Sequence, residues 1–491
     1  MEAEEGAKKL AQPVVVKPTD TLAQTRVAIV GGGLSGLATA IQLHLLQPNA
    51  NILLYEASSR LGGVIQTELV DDFVIDHGAD MFAAQPVDAL SLCQKLGIDD
   101  QLILPELEGR GAMIVRNGRL LPIPDGFVLM RATKTWPMMT TPLLSIAGKL
   151  SLLSERFRKP IDLSQDLSVG EFVRQRMGAE VLDRIVSPLV GGIYTADIEK
   201  LSMLATMKPI SEMAKKYGSL GKATAARRRN GEDTAERLSS GARYNQFRSF
   251  PKGMRQLIDH LASKLPEGTI ATNSPVSAIR PENKRWIVSH SDKQEDSFDN
   301  VVITSPAKVT ARLLTGVSPE ASAALGAIES SSAAIVVLAV KKTDIAKPVK
   351  AFGAVVPIIE GHKILAISFA SHKFANRAPS DHTLIRVFLG GSLQPELLEH
   401  DDNELVSIVR KELGDLIGLT GTPTLSRVFR WNESMPQYHV GHLQRVETIE
   451  SSIAAKTGLH IVSNALGGVG IAPIIRAAGK VAEKIANSQQ P

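Results

Sequence analysis

Three glycines at fixed spacing, Gly31-x-Gly33-x-x-Gly36, follow directly on the apolar run Val27 to Val30. Behind them Leu37, Ile41 and Leu45 recur at helical spacing, with Ala38 and Ala40 between. Ile52 to Tyr55 is a second apolar run, and Glu56 closes it twenty residues after Gly36. This strand, helix, strand and terminal acid suit a dinucleotide. Gly31 allows the tight turn, Gly33 lets backbone approach a pyrophosphate, and Gly36 lets helix and strand pack closely. The helix N-terminus offers free N–H groups and a partial positive charge to the phosphates. Glu56 can accept hydrogen bonds from ribose hydroxyls and would repel a 2′-phosphate.

The next segment, Ala57-Ser58-Ser59-Arg60-Leu61-Gly62-Gly63, resembles the extended fingerprint of FAD oxidoreductases of the amine-oxidase type. FAD lies extended, so its pyrophosphate and ribityl chain need a second close approach of backbone, which Gly62 and Gly63 permit. Arg60 can reach phosphate or ribose oxygens. His77-Gly78-Ala79-Asp80-Met81 reads as a turn leaving a strand at Phe73 to Asp76, suited to pass under a flavin ring. Near the far end, Ser463-Asn464-Ala465-Leu466 and Gly467-Gly468-Val469-Gly470-Ile471 precede a helix predicted over 474–487. Aimed at a flavin, that helix N-terminus would stabilise the negative charge that builds near N1 and C2=O on reduction.

Other chemistries have little support. Net charge is +4 in 491 residues, too mild to argue for nucleic acid, and there is no zinc-type spacing, metal cluster or internal repeat. Hydrophobic content of 44% and charged content of 22% are ordinary for a globular chain, whose length calls for two or three domains. The one cysteine, Cys93, excludes an intramolecular disulfide and reads as a core thiol. No apolar stretch is long enough to span a bilayer. Residues 1–25 carry neither a signal nor a transit pattern and read as a disordered tail, hence a cytoplasmic protein.

The positioning elements follow in order. A helix is expected over 86–96 with apolar positions Val87, Leu90, Leu92 and Leu96, and a hairpin at 113–124 around Asn117-Gly118. The Met-, Leu- and Trp-rich stretch 127–159, punctuated by Arg131, Lys134, Lys149, Arg156, Arg158 and Lys159, has two readings. One is a helical layer over a substrate cavity, the other a membrane-surface segment. A helix pair is expected over 169–186, stopped by Pro188, with a small-residue turn at 189–194. Residues 214–246 read as a basic loop, and 255–265 as a helix. Strands from 275, at 286–289 and at 300–304 would form one small sheet. A helix at 320–331, strands at 333–340, 353–357, 364–369 and 384–389, a helix at 404–417 and a loop at 431–438 complete the pattern.

With both ends in view, the chain resembles protoporphyrinogen/coproporphyrinogen oxidases, flavoenzymes of haem synthesis. Beyond the glycine motifs, the marks are SPLVGGIYTADIEKLS, FPKGM, FANRAP with VFLGGS, RWNESMPQY with GH, and GGVGI. The resemblance covers nearly everything after residue 25. It implies an α/β fold: a discontinuous Rossmann-like FAD-binding domain plus an α+β substrate domain with a mixed sheet and a helical lobe. The FAD-binding domain would take 25–100, 247–318 and 441–491, the substrate domain 101–125 and 319–440, and the lobe 126–246, after a tail at 1–24. The FAD residues implied are Gly31, Gly33, Gly36, Glu56, Arg60, Gly62, Gly63, Gly78, Val276, Trp431, Asn464, Gly468 and Val469. Gly192 and Ile193 resemble one wall of the tetrapyrrole slot, and Val355 and Phe388 the other. Where some members carry a propionate-gripping arginine, this chain has Ala112, with Arg110 as a substitute. Ser463 replaces a usual glycine.

The resemblance further implies repeated hydride transfer from porphyrinogen meso carbons to flavin N5, with O2 as acceptor and H2O2 released. The electron-rich pyrroles stabilise the cation left behind, so no strong protein base is required, in keeping with the lack of a His/carboxylate or Ser/His constellation. Expected partners are the porphyrinogen and O2, with peripheral membrane contact and hand-over to the next haem-pathway enzyme. A second reading is another flavin oxidase, acting on amines or polyenes; the 4% aromatic content argues against its aromatic cage. A third is a non-enzymatic prenyl-binding chaperone, against which Glu56, Gly62 and Gly63 argue.

Overall fold

A computed structural model describes residues 24–109, 111–128, 130–231, 246–291 and 293–488. Its first sheet is parallel and gathers strands from distant parts of the chain, in the order Ile270–Ala271, Asn51–Tyr55, Arg26–Val30, Asn300–Ile303 and Leu459–Ile461. Near-continuous apolar runs such as Val27 to Val30 form such strands because both faces are covered. On one face the helices Leu34–Leu46 and Ile471–Asn487 pack together, burying Leu37 and Ile41 against Ile475, Ala478 and Ala482. Leu45, expected on that apolar stripe, is exposed instead. In the helix Asp88–Leu96 the buried residues are Ala89, Leu92, Cys93 and Leu96; Val87 precedes the helix and is exposed, and Leu90 is half-buried.

The second sheet has seven strands in the order Leu425–Pro436, Ser330–Lys341, His382–Gly390, Ala366–Phe369, Gly353–Val355, Ala112–Arg116 and Arg119–Pro122. It is mixed: Gly353–Val355 pairs in parallel with Ala112–Arg116, and its other pairs are antiparallel. One face packs on the helix Asp402–Ile417 through Val336, Leu338, Ile385 and Val387. The other carries Ile335, Val337 and Leu384 against Phe73 and Ile75, and Ile114 against the helical lobe. The hairpin turns at Asn117-Gly118 with both φ positive, as a two-residue turn requires.

Several expected elements differ. Asn300–Ile303 joins the parallel sheet, and the small sheet is instead Val276–Glu282, Arg285–His290 and Gln294–Phe298. The helix expected at 320–331 is Pro319–Gly326, and Ser330 already begins a strand. Trp431 to Pro436 is not a loop but the end of an edge strand. Its polar, non-alternating residues are accommodated by an irregularity opposite Ser331 and Ala333, with Glu433 at φ +46°. The first part of the basic stretch is not loop but belongs to two helices, Lys208–Tyr217 and Leu220–Arg229, as good helix formers allow once Ser219 caps the second. Residues 232–245 of that stretch lie outside the described residues. Pro188 does not stop its helix. It sits within a π-helix, Leu182–Gly191, whose wider hydrogen-bond register tolerates the missing N–H, and the chain stays helical through Gly192–Tyr194.

Candidate functional site

The first loop, Gly31 to Gly33, lies against the second, Gly62 to Gly63. Gly33 and Gly62 form a parallel bridge, and the Gly62 N–H donates to the Gly32 carbonyl at 2.9 Å. Gly31 has φ +116° and Gly62 φ +103°, which L side chains rarely adopt. A Cβ at Gly36 would stand 1.9 Å from the Gly31 carbonyl oxygen, so helix and turn touch backbone to backbone. At Gly33 the nearest neighbour of such a Cβ is the Gly63 Cα, 4.0 Å away. Gly33 is thus bare for a reason other than packing, as a surface for a close-lying ligand would be. The helix Leu34–Leu46 begins at Gly33 with no side-chain cap, leaving its first N–H groups for an anion.

Glu56 turns its carboxylate into this loop. Oε2 accepts the Gly32 N–H at 2.7 Å, and Oε1 accepts the Ser58 N–H at 2.8 Å and hydroxyl at 2.7 Å. Ser274 N–H donates to the Glu56 carbonyl, which brings Val276 to the same edge. Arg60 is exposed and bonds the Gly63 carbonyl at 3.0 Å, so its guanidinium stands over the second loop. These residues fit an extended dinucleotide: bare backbone at two points, uncapped donors for phosphate, and an acid at the ribose end.

The C-terminal loop is built alike. Gly468 has φ +78°, and the helix Ile471–Asn487 starts at Gly470 with no side-chain cap. The Tyr438 hydroxyl donates to the Asn464 carbonyl, and the Ser463 hydroxyl accepts from the Ala465 N–H at 3.1 Å. Val469 packs in one apolar cluster with Val355, Leu189, Tyr194 and Tyr438. That shared cluster links the loop with the second sheet and the lobe.

On the second sheet a row of cross-strand partners runs Ile114, Val355, Ala366, Phe388, Ile335, Phe429. Partners in one row face the same side, so Val355 and Phe388 share a face. Phe388, Phe429 and Trp431 pack against one cluster with Ile335 and Val337, and the Phe429 ring stacks on His77 at 3.7 Å between centroids. The Trp431 indole N–H donates to the His77 carbonyl at 2.9 Å, directly before Gly78. Gly192 lines a small cavity of about 30 Å³ with Pro188, Thr195, Val356, Leu365 and Leu393. Ile193, Val355 and Phe388 do not line it, and Ile193 is 54% exposed. Arg110, the arginine expected to replace one at Ala112, lies outside the described residues.

Sequence reading missed a buried charge cluster under the turn at Gly78. Asp80 Oδ2 receives Lys373 Nζ at 2.7 Å and Arg386 Nη1 at 2.8 Å. Asp76 accepts from Thr67 at 2.6 Å and the Met254 N–H at 2.8 Å, with Arg377 3.7 Å away. Burial would raise the Asp80 carboxyl, but Lys373 and Arg386 outweigh it and hold it far below the carboxylate range. Burial raises Asp76, against Arg377. Alternation along His382–Gly390 places Arg386 on the face of Phe388, but nothing local foretells that a charged residue there is buried.

Most of the chain, residues 34–485, matches the family model described as flavin containing amine oxidoreductase. The coproporphyrinogen III oxidase of Staphylococcus aureus is 34% identical over 430 residues, 87% of this chain and 91% of that protein. That of Bacillus subtilis is 30% identical, over 91% of this chain and 94% of its own length. Protoporphyrinogen oxidase 2 of Arabidopsis thaliana is 28% identical, over 94% and 93%. The solved cyclohexylamine oxidase of Brevibacterium oxydans shares the fold, with TM-score 0.69 at 16% identity over 95% of this chain and 99% of that one. With two bare glycine loops, an acid closing the second strand of the parallel sheet and an apolar sheet face near the C-terminal loop, the chain belongs to the flavin containing amine oxidoreductases, among the porphyrinogen oxidases.

Proposed function

We propose that this protein oxidises a porphyrinogen to the porphyrin in haem biosynthesis, with FAD as cofactor and O2 as acceptor. The observation that carries this reading is the shared apolar cluster of Val469, Val355 and Tyr194, which sets the C-terminal glycine loop against an apolar wall fit for a flat substrate. Gly31, Gly33, Gly62, Gly63 and Glu56 would hold the dinucleotide, and the helix starting at Ile471 would favour negative charge. Bound FAD supplies the hydride acceptor at N5. The chain's own residues bind and orient the macrocycle and keep water out; Val355 and Phe388 do this by apolar contact. Identities of 30–34% to three coproporphyrinogen III oxidases, against 26–29% for plant protoporphyrinogen oxidases, favour coproporphyrinogen III.

The test is anaerobic mixing of the yellow protein with each porphyrinogen and with amines. Bleaching of the flavin band by porphyrinogens alone supports the assignment, and bleaching by amines alone overturns it. Steady-state rates on coproporphyrinogen III and protoporphyrinogen IX decide the substrate, and H2O2 yield under air decides the acceptor.

No helix among the described residues is long and apolar enough to cross a membrane. The lobe nonetheless exposes Trp136 (76%), Ile146 (78%), Leu150 and Phe157 (81%) beside Lys149, Arg156 and Lys159. This mixture suits peripheral contact with anionic lipid, a place from which product would pass to the next enzyme of haem synthesis. Co-sedimentation with phosphatidylglycerol vesicles, lost in a Trp136→Ser, Phe157→Ser variant, tests it.

A further inference from the structure

The buried cluster beneath Gly78 holds three cations, Lys373, Arg377 and Arg386, and two carboxylates, Asp76 and Asp80. With both carboxylates ionised it carries one net positive charge. All five side chains are at least about nine-tenths buried. Two guanidinium nitrogens, Arg377 Nη1 and Arg386 Nε, have no hydrogen-bond partner. Glu68 and Arg427, on the His77 side of the turn, pair with each other at 2.9 Å and add no net charge. An excess buried charge is costly unless something compensates it.

We infer that the missing counter-charge is the extra negative charge of the reduced cofactor, and that Lys373, Arg377 and Arg386 are positioning residues that raise the reduction potential of the bound flavin through the turn at Gly78. This rests on the FAD site proposed above. The geometry connects cluster and turn directly: Arg386 donates to the Gly78 carbonyl, and the Ser249 hydroxyl donates to the Asp80 carbonyl at 2.7 Å. Asp80, two residues beyond Gly78, carries the Lys373 and Arg386 pairs. Burial keeps substrate carboxylates from touching these cations, so the cluster acts through space. At an effective dielectric of about 20, a unit charge about 10 Å from another changes an equilibrium by roughly tenfold.

The experiment is the midpoint potential of the bound flavin, measured by dye-coupled anaerobic reduction of the purified holoenzyme. Removing a cation, Lys373→Met, should lower the potential by about 30 mV, a tenfold change for a two-electron couple. Removing an anion, Asp80→Asn, should raise it by a similar amount. Arg377→Met, which alters a different part of the cluster, substitutes for Lys373→Met should that variant not fold. Opposite signs support the inference. Shifts of the same sign, or no shift in either, overturn it and leave the cluster a structural fastening. A parent protein that purifies without flavin defeats the FAD-site reading instead, which the flavin absorption band reports separately.

Discussion

Glu155 and Arg176 form a buried ion pair at the base of the helical lobe, with Arg176 Nε 2.9 Å from Glu155 Oε1. The same carboxylate accepts the N–H groups of Leu220 at 3.0 Å and Gly221 at 2.8 Å, and the Ser219 hydroxyl at 2.9 Å. It therefore anchors the start of the helix Leu220–Arg229 as well. Arg176→Met leaves a buried carboxylate uncompensated and is expected to cost about 3–5 kcal/mol in urea unfolding. Arg176→Met with Glu155→Leu should cost less than the sum of the two single changes.

Gly36 and Gly33 separate folding from binding. Gly36→Ala forces a methyl against the Gly31 carbonyl and should leave little folded protein. Gly33→Ala meets only open space, at an ordinary φ of −72°. It should keep its melting temperature within a few degrees while flavin content after purification falls about tenfold. Absorbance at the flavin band against protein, with a thermal melt, checks both.

How far the site was legible in the chain follows from where its contacts lie. Gly31 to Glu56 is local: strand, turn and helix are consecutive, so spacing alone exposes them. The cluster under Gly78 is not local. Asp80 and Lys373 are 293 residues apart, and no periodicity foretells that they meet. Pro188 misled for a different reason, since a proline stops an α-helix but fits a wider turn. Trp431 to Pro436 reads as a loop because its pairing partner, not its own alternation, makes it a strand.

Acid should weaken the fold through two histidines. Burial lowers His442 and His460 to about 4. A lowered histidine binds fewer protons folded than unfolded, so its contribution is complete above about pH 6.5 and is lost as pH falls toward 4. Each should cost on the order of 1.4 kcal/mol per pH unit across that window. His442→Phe keeps the ring that stacks on Tyr438 at 4.2 Å and should flatten the dependence. Urea midpoints at pH 7 and pH 5 for parent and variant decide this.

Val355 faces the apolar row and touches the cluster that contains Val469. Val355→Trp should fill the proposed slot, raising KM for porphyrinogen about tenfold or more while flavin content stays near that of the parent. Equal loss of flavin and activity would point instead to a collapsed loop.

The parallel sheet also dictates when this protein can be assembled. Its central strand, Arg26–Val30, leaves the ribosome early, yet Arg26 meets Asp299 from 273 residues later, and the edge strand Leu459–Ile461 comes almost last. A nascent chain therefore carries a greasy, half-paired strand through most of translation, exposed to chaperones and to aggregation. On the proposed FAD site, the vitamin-derived cofactor is fully enclosed only once the strand Leu459–Ile461 and the glycine loop before Ile471 have been made.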